Sequence, residues 1–142
     1  MKGLETMEEK IFKDREHWNA FTSVITSMKC ADVYHVSLAY VLTLDKITRS
    51  HFNDLFNLTE DCIKFEGLLK SWQTGTSKKV TRLAFNLWNN FCYDGDSYTD
   101  KDGYETDLPS MFYGVGEIFD CSYAPYFWEA VKLRFPECVD GD

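Results

Sequence analysis

The stretch DVYHVSLAYVLTLD, residues 32–45, decides the fold. It is apolar on nearly every side from Val33 to Leu44, and a helix without a polar face is typical of an element that is buried from several directions. Asp32 immediately precedes the apolar run and can cap its first turn. The stretch therefore predicts a central helix around which the rest of the chain packs.

The segments on either side have apolar residues on one face only. Asp14 can cap a helix whose apolar residues recur every three or four positions, as expected for a helix on the surface of a core. Ser77 can cap another such helix, and a last helix should begin near Ser122, take Pro125 into its first turn and end before Pro136. The apolar positions of the first helix and of two weaker helical segments are Trp18, Phe21, Val24, Ile25 and Met28, then Ile47, Phe52, Leu55 and Phe56, then Phe65, Leu68, Leu69 and Trp72.

Together these patterns predict an all-α fold. We expect a single compact domain over residues 1–142, with about six helices and with residues 1–13 as a loosely attached N-terminal segment. The period-two alternation of strands is nearly absent. An acidic loop or small hairpin is expected between the fifth and last helices.

Composition limits the possible functions. The 142 residues are 44 % hydrophobic and 16 % aromatic, which favours a folded core. The net charge of -8 opposes general binding to phosphate backbones, so we expect no direct nucleic-acid binding. No apolar run is long enough to span a bilayer, and we expect a cytoplasmic protein without membrane contact.

No chemical motif is recognisable in the sequence. The five cysteines form no C-x-x-C pair and lack a histidine at zinc-finger spacing, so reduced, buried thiols are expected. His17, His35 and His51 lie in separate segments, and the G-x-S-x-G, H-E-x-x-H and dinucleotide-binding patterns are missing. We therefore expect no enzyme activity, no catalytic residue, no metal and no cofactor.

The most unusual segment is DGDSYTDKDGYETD, residues 94–107. An EF-hand calcium loop needs oxygen ligands at positions one and twelve and a glycine at position six, and the segment fails in both possible registers. With Gly103 at position six, Tyr98 takes position one and Pro109 takes position twelve. With Asp94 at position one, Thr99 takes the place of the glycine.

The same segment has the composition of an interaction surface. Five Asp and one Glu against one Lys give it a net charge of -5, and two tyrosines add rigid apolar area. A solvated loop whose Asp and Gly residues serve turn chemistry is the other interpretation. The candidate partner-binding residues are Asp94, Asp96, Tyr98, Asp100, Asp102, Tyr104, Glu105 and Asp107.

A second candidate is the stretch TGTSKKVTR, residues 74–82. Its glycine, hydroxyls and lysines at a helix start resemble a phosphate-binding turn, although the P-loop spacing is missing. Lys78 and Lys79 oppose the helix dipole there, so with Arg82 they form an alternative anion-binding patch. A solvated helix face capped by Ser77 is the plainer interpretation.

Three stretches carry a family resemblance: residues 32–57, SWQTGTSKKVTRLAFNLWN at 71–89 and EIFDCSYAPYFWEAVKLRFPE at 117–137. Over residues 9–137 the chain resembles a family of small uncharacterised proteins, a domain of unknown function, from Gram-positive gut bacteria, their phages and conjugative elements. The resemblance implies no activity and no site residues.

Two functions follow as hypotheses. The first is a non-enzymatic inhibitor from a mobile element that occupies the basic surface of a host defence enzyme, of the anti-CRISPR or anti-restriction type, an expectation based on analogy of genomic setting. Its partner would be a protein with a basic surface, such as a defence nuclease. The alternative is an accessory protein of the mobile element that binds nucleic acid through Lys78, Lys79 and Arg82.

Overall fold

The computed structural model describes residues 9–139. The α-helices are α1 (Arg15–Ser27), α2 (Val33–Leu42), α3 (Lys46–Ser50), α4 (Phe52–Leu55), α5 (Gly75–Asn89), α6 (Val115–Ile118), α7 (Ala124–Arg134) and α8 (Pro136–Val139). Short 3₁₀ helices span Glu9–Ile11, Phe65–Leu69 and Met111–Tyr113. The strands are β1 (Phe56–Asn57), β2 (Cys62–Ile63), β3 (Tyr93–Thr99) and β4 (Glu105–Pro109).

Helix α2 is the centre of the fold, as predicted. It contacts α1, α5 and α7, and its residues from Leu38 to Leu42 have no solvent exposure. Burying one Val or Leu side chain contributes about 1.5–3 kcal/mol of hydrophobic free energy. The helix therefore supplies much of the core to which its neighbours attach.

The C-terminal end of α2 is buried together with its polar groups. The Thr48 hydroxyl donates to the Leu42 carbonyl at 2.7 Å, and Arg49 Nε donates to the Thr43 carbonyl at 3.0 Å. Asp45 caps α3 and also accepts a 2.7 Å hydrogen bond from the Tyr123 hydroxyl next to α7. The carbonyls of Leu42 and Thr43, at the end of α2, are thus satisfied by residues of α3.

The predicted all-α class is wrong. The described residues contain two antiparallel two-stranded sheets, β1 with β2 and β3 with β4, and eight α-helices rather than about six. The β3–β4 hairpin falls in the acidic segment, where the sequence allowed one. The β1–β2 ribbon was not predicted: Phe56 leaves the helix in an extended conformation, and Asp61 supports the return turn with a φ of 58°.

Residues 65–72 do not form the predicted α-helix. A five-residue 3₁₀ helix, Phe65–Leu69, stands there instead. Gly67 lies so close to α4 that an added Cβ would be 2.5 Å from the Asp54 carbonyl oxygen. The glycine that weakens the helix thus permits this close backbone approach.

The capping predictions are partly confirmed. Asp14 and Asp32 accept hydrogen bonds from the amides of His17 and His35. Ser77 is not the cap of α5: Thr74 is the N-cap and accepts from the Ser77 amide. The Ser77 hydroxyl in turn accepts from the Thr74 amide, which completes a capping box. Helix α7 starts at Ala124 with Pro125 in its first turn and ends at Arg134, as predicted.

The cysteines differ from expectation in their burial. All five thiols are free, as predicted, but none is buried: Cys30, Cys62 and Cys138 are exposed and the other two are half-buried, because they lie outside the core-facing helix positions.

Residues 1–8 of the N-terminal segment lie outside the described residues. Phe12, in the described part, is buried in the core.

None of the helices in residues 9–139 is both long enough and apolar enough to cross a lipid bilayer.

His17 is fully buried between α1 and α2. Its Nδ1 accepts the Lys13 amide at 3.1 Å, so the ring proton must be on Nε2, which donates to the Tyr40 carbonyl at 2.8 Å. Burial lowers the pKa of His17 to about 4, against the opposing effect of the Tyr40 carbonyl. The native protein therefore holds His17 neutral.

We predict that His17 makes the protein less stable in mild acid. The unfolded chain binds a proton near the ordinary pKa of 6.5, so the contribution of His17 is complete above that pH and is lost as the pH falls toward 4. Between pH 7.5 and pH 5 the loss should be about 2 kcal/mol. Denaturant unfolding at both pH values should show this difference between the natural protein and His17→Gln.

The pH-dependent change in the unfolding free energy of the variant is subtracted from that of the natural protein. This difference removes the contributions of other titrating groups, including His35. An NMR titration provides a test that needs no variant, because the His17 ring should stay unprotonated down to pH 5. A ring that titrates near pH 6.5 would contradict the prediction.

Candidate functional site

The acidic segment forms a hairpin that stands out from the helical body. β3 and β4 pair with Ser97 opposite Asp107 and Thr99 opposite Glu105. The turn between them is closed by the Asp100 carboxylate, which accepts from the amides of Asp102 and Tyr104. All residues of β4, and those of β3 from Gly95 to Thr99, are exposed, so the outer part of the hairpin is accessible to a partner.

The eight predicted partner-binding residues divide into two groups. Asp94 is largely buried, and its carboxylate accepts from Arg82 Nε at 3.2 Å and from the Ser110 hydroxyl at 2.5 Å. The Asp100 carboxylate already accepts hydrogen bonds from two backbone amides of the turn. These two carboxylates therefore serve the hairpin itself.

The remaining six predicted residues are exposed. The carboxylates among them are Asp96, Asp102, Glu105 and Asp107, and the aromatic residues are Tyr98 and Tyr104. Tyr104 is 72 % exposed at the tip. Four carboxylates and two phenol rings remain available to a partner.

An apolar patch that sequence reasoning missed continues from the end of β4. It consists of Leu108, Met111, Phe112 and Val115, with Met111 78 % and Val115 63 % exposed. Four large apolar side chains at the foot of one hairpin are unusual, since exposed apolar residues on a monomer are normally scattered. We call the four free carboxylates, the two tyrosines and this patch the hairpin surface.

A small cleft opens beside the hairpin surface. It has a volume of about 140 Å³ and is lined by Phe65, Phe91, Tyr93, Gly95 and Asp107. Gly95 has a φ of 96° at the point where the pairing of β3 is irregular, and an added Cβ would be 3.3 Å from the Phe65 ring. The cleft has room for one small apolar side chain of a partner.

The predicted anion-binding patch is mostly occupied by contacts within the protein. Arg82 lies between the Asp94 carboxylate and the Phe112 ring, whose centroid is 5.1 Å from its guanidinium carbon. Lys79 donates its ammonium group to the Glu117 carbonyl. Of the three predicted residues, only Lys78 is without such a contact in the described residues. Arg82 instead holds the hairpin surface against α5.

A second polar cluster surrounds the first turn of α2. His35 Nδ1 lies 2.7 Å from Asp32 Oδ1 and 3.3 Å from Cys30 Sγ, and Nε2 lies 2.8 Å from Asp61 Oδ1. The imidazole and the Trp88 ring pack edge to face at a centroid distance of 4.8 Å. Burial opposes protonation of His35, but the hydrogen bonds to Asp32 and Asp61 outweigh it and raise the pKa of the imidazole.

This cluster, too, is not predicted by the sequence patterns. The spacing C-x-D-x-x-H over residues 30–35 was visible, but it matches no zinc-finger pattern. Asp61 is 26 positions from His35, and only the β1–β2 turn brings the two side chains together. Such a contact leaves no periodic signal.

We predict that Asp94 and Asp96 differ in their effect on stability although each replacement by Asn removes one charge from the hairpin. Asp94→Asn should lower the free energy of unfolding by about 1–3 kcal/mol, because the largely buried Arg82 loses its charged acceptor. Asp96→Asn should change it by less than about 0.5 kcal/mol, as is usual for an exposed side chain. Denaturant unfolding of both variants is the measurement, and equal effects would contradict the division of the carboxylates into two groups.

Comparison with known proteins identifies a family but no function. No curated protein and no solved structure matches the chain. A family model described as a family of unknown function, DUF6075, matches residues 7–141. The chain therefore belongs to this family of unknown function.

Proposed function

We propose that this protein is a non-enzymatic inhibitor that binds a partner protein through the hairpin surface. The observation that carries the proposal is the position of four free carboxylates beside four exposed apolar side chains. The partner would present a basic groove with an apolar recess. Nucleic-acid-directed enzymes have basic grooves, because they neutralise phosphates with Lys and Arg.

The two halves of the hairpin surface would contribute differently. The carboxylates would steer the encounter and set its orientation, while buried apolar and aromatic side chains would supply most of the affinity. Protein interfaces are typically organised with an apolar centre and a polar rim. Met111 and Phe112 would occupy the centre, and Tyr98 and Tyr104 would anchor the hairpin tip.

The enzyme class is inferred from the family resemblance and from charge. Mobile elements and phages, to which the resemblance points, carry small acidic proteins that disarm host defences, and a CRISPR or restriction nuclease is the target class proposed here by analogy. A net charge of -8 over 142 residues is modest for imitation of a whole duplex. Insertion of the short hairpin into one part of the nucleic-acid groove is more consistent with this charge.

The alternative of nucleic-acid binding through Lys78, Lys79 and Arg82 has less support. Two of its three cations already contact groups of this chain, and the free carboxylates of the neighbouring hairpin would repel phosphates.

The test is inhibition of DNA cleavage by a panel of purified RNA-guided and restriction nucleases. We expect the natural protein to inhibit at least one of them at near-stoichiometric concentration in 0.15 M salt. The variant with Asp96→Asn, Asp102→Asn, Glu105→Gln and Asp107→Gln replaced together should be at least about tenfold weaker, since four rim ion pairs at a few tenths of a kcal/mol each sum to about that factor.

A matched control separates position from net charge. Glu16, Glu60, Glu66 and Glu137 are exposed elsewhere on the surface, and replacing all four by Gln removes the same charge. This control should inhibit like the natural protein, whereas Met111→Ser with Val115→Ser should weaken inhibition. Equal weakening by the two charge variants, or no inhibition of any nuclease, would overturn the proposal.

A further inference from the structure

We propose that Cys30, Asp32 and His35 bind one divalent ion of the zinc class, with Asp61 holding the histidine from behind. The inference is independent of the hairpin surface. It rests on the convergence of a thiol, a carboxylate and an imidazole, whose candidate ligand atoms all lie within 4.8 Å of one another. These are the three side-chain types that bind zinc in proteins.

The start of α2 brings the three groups together. Asp32 is the N-cap, and its carboxylate accepts from the amide of His35 at 2.9 Å. A cap and the third residue of a helix lie on the same side of the first turn, so the two side chains converge by local geometry. Cys30 precedes the cap by two residues, and its Sγ lies 3.5 Å from Asp32 Oδ2.

A tetrahedral ion fits the three groups after the Cys30 and Asp32 side chains move. Bond lengths of about 2.3 Å to sulfur and about 2.05 Å to nitrogen place these atoms about 3.5 Å apart around zinc. The observed distance between Cys30 Sγ and His35 Nδ1 is 3.3 Å, but Sγ is also 3.9 Å from Nε2, so the thiol lies beside the ring. The exposed Cys30 side chain would rotate to bring Sγ in front of Nδ1. Asp32 Oδ1 is too close to Nδ1, at 2.7 Å, and would withdraw by about 0.7 Å. Its side chain is 49 % exposed and has room to do so.

Asp61 supplies the outer carboxylate that a metal-binding histidine usually has. A ligating imidazole typically donates its second N–H to a carboxylate, which fixes the tautomer and the ring orientation. Here Nε2 lies 2.8 Å from Asp61 Oδ1, which leaves Nδ1 for the ion. Asp61 has a left-handed backbone conformation, with a φ of 58°, that is uncommon outside glycine, and the Trp88 ring packs edge to face with the imidazole.

The proposed site has three protein ligands and one open position. Cys30 and Asp32 are exposed while His35 is buried, so the ion would be held at the surface with its fourth position toward solvent. Three protein ligands and a water are the arrangement of zinc sites that remain accessible to a further ligand. The ion would replace the proton on Nδ1 and that of the thiol, and both protons would leave to solvent.

The experiment is a titration of the reduced, metal-free protein with Co²⁺, followed by competition with Zn²⁺. We expect one equivalent of Co²⁺ to give a thiolate-to-cobalt charge-transfer band, and one equivalent of Zn²⁺ to remove it. Cys30→Ser should abolish the band. Asp61→Asn should keep the band but weaken the affinity about 10- to 100-fold, because it removes only the outer carboxylate.

Two other exposed cysteines provide the controls. Cys62→Ser and Cys138→Ser each remove an exposed thiol outside the proposed ligand set, and both should leave the titration unchanged. Circular dichroism establishes that each variant is folded. Absence of a charge-transfer band in the natural protein, or an unchanged band in Cys30→Ser, would overturn the proposal.

Discussion

Burial of α2 on every side from His35 to Leu42 is the constraint on which the rest of the structure depends. A helix end without partners for its backbone groups costs about 1–3 kcal/mol for each group that is buried unsatisfied. Asp32 accepts a hydrogen bond from a backbone amide at the N-terminal end of α2, and Thr48 and Arg49 donate to backbone carbonyls at its C-terminal end. In the described residues no buried side-chain nitrogen or oxygen lacks a hydrogen bond. The polar residues that flank the apolar run therefore determine how the neighbouring segments attach to it.

Both candidate surfaces derive from this helical scaffold. The cap that satisfies the start of α2 also places a carboxylate beside His35, so the Cys30 cluster is built on a rigid turn. Helix α5, which packs against α2, carries Arg82 on its outer side, and the ion pair with Asp94 sets the direction in which the hairpin leaves the body. The two surfaces share a framework but no residue, so each can be altered without the other.

The features that were predictable from sequence are those that depend on nearby residues. The central helix follows from its continuous apolar run, and the caps Asp14 and Asp32 bond to amides only three positions away. Thr74 and Ser77 were harder to separate, because both are hydroxyl residues at the same helix start and each bonds to the amide of the other. The β1–β2 ribbon, the partner of Asp94 and the approach of Asp61 to His35 depend on tertiary packing. Composition located the acidic segment but gave no sign of the apolar patch beside it or of the internal bonds of Asp94 and Asp100.

The charges along the hairpin have one more consequence, which concerns solubility. A two-stranded ribbon has an unpaired edge on each side, and the free amides and carbonyls of such edges can template the addition of a strand from another molecule. Charged side chains on an edge strand suppress this association. The carboxylates that extend along β3 and β4 would thus keep copies of the protein apart whatever they bind. For that purpose the sign and density of charge matter and the choice of Asp or Glu at a given position does not.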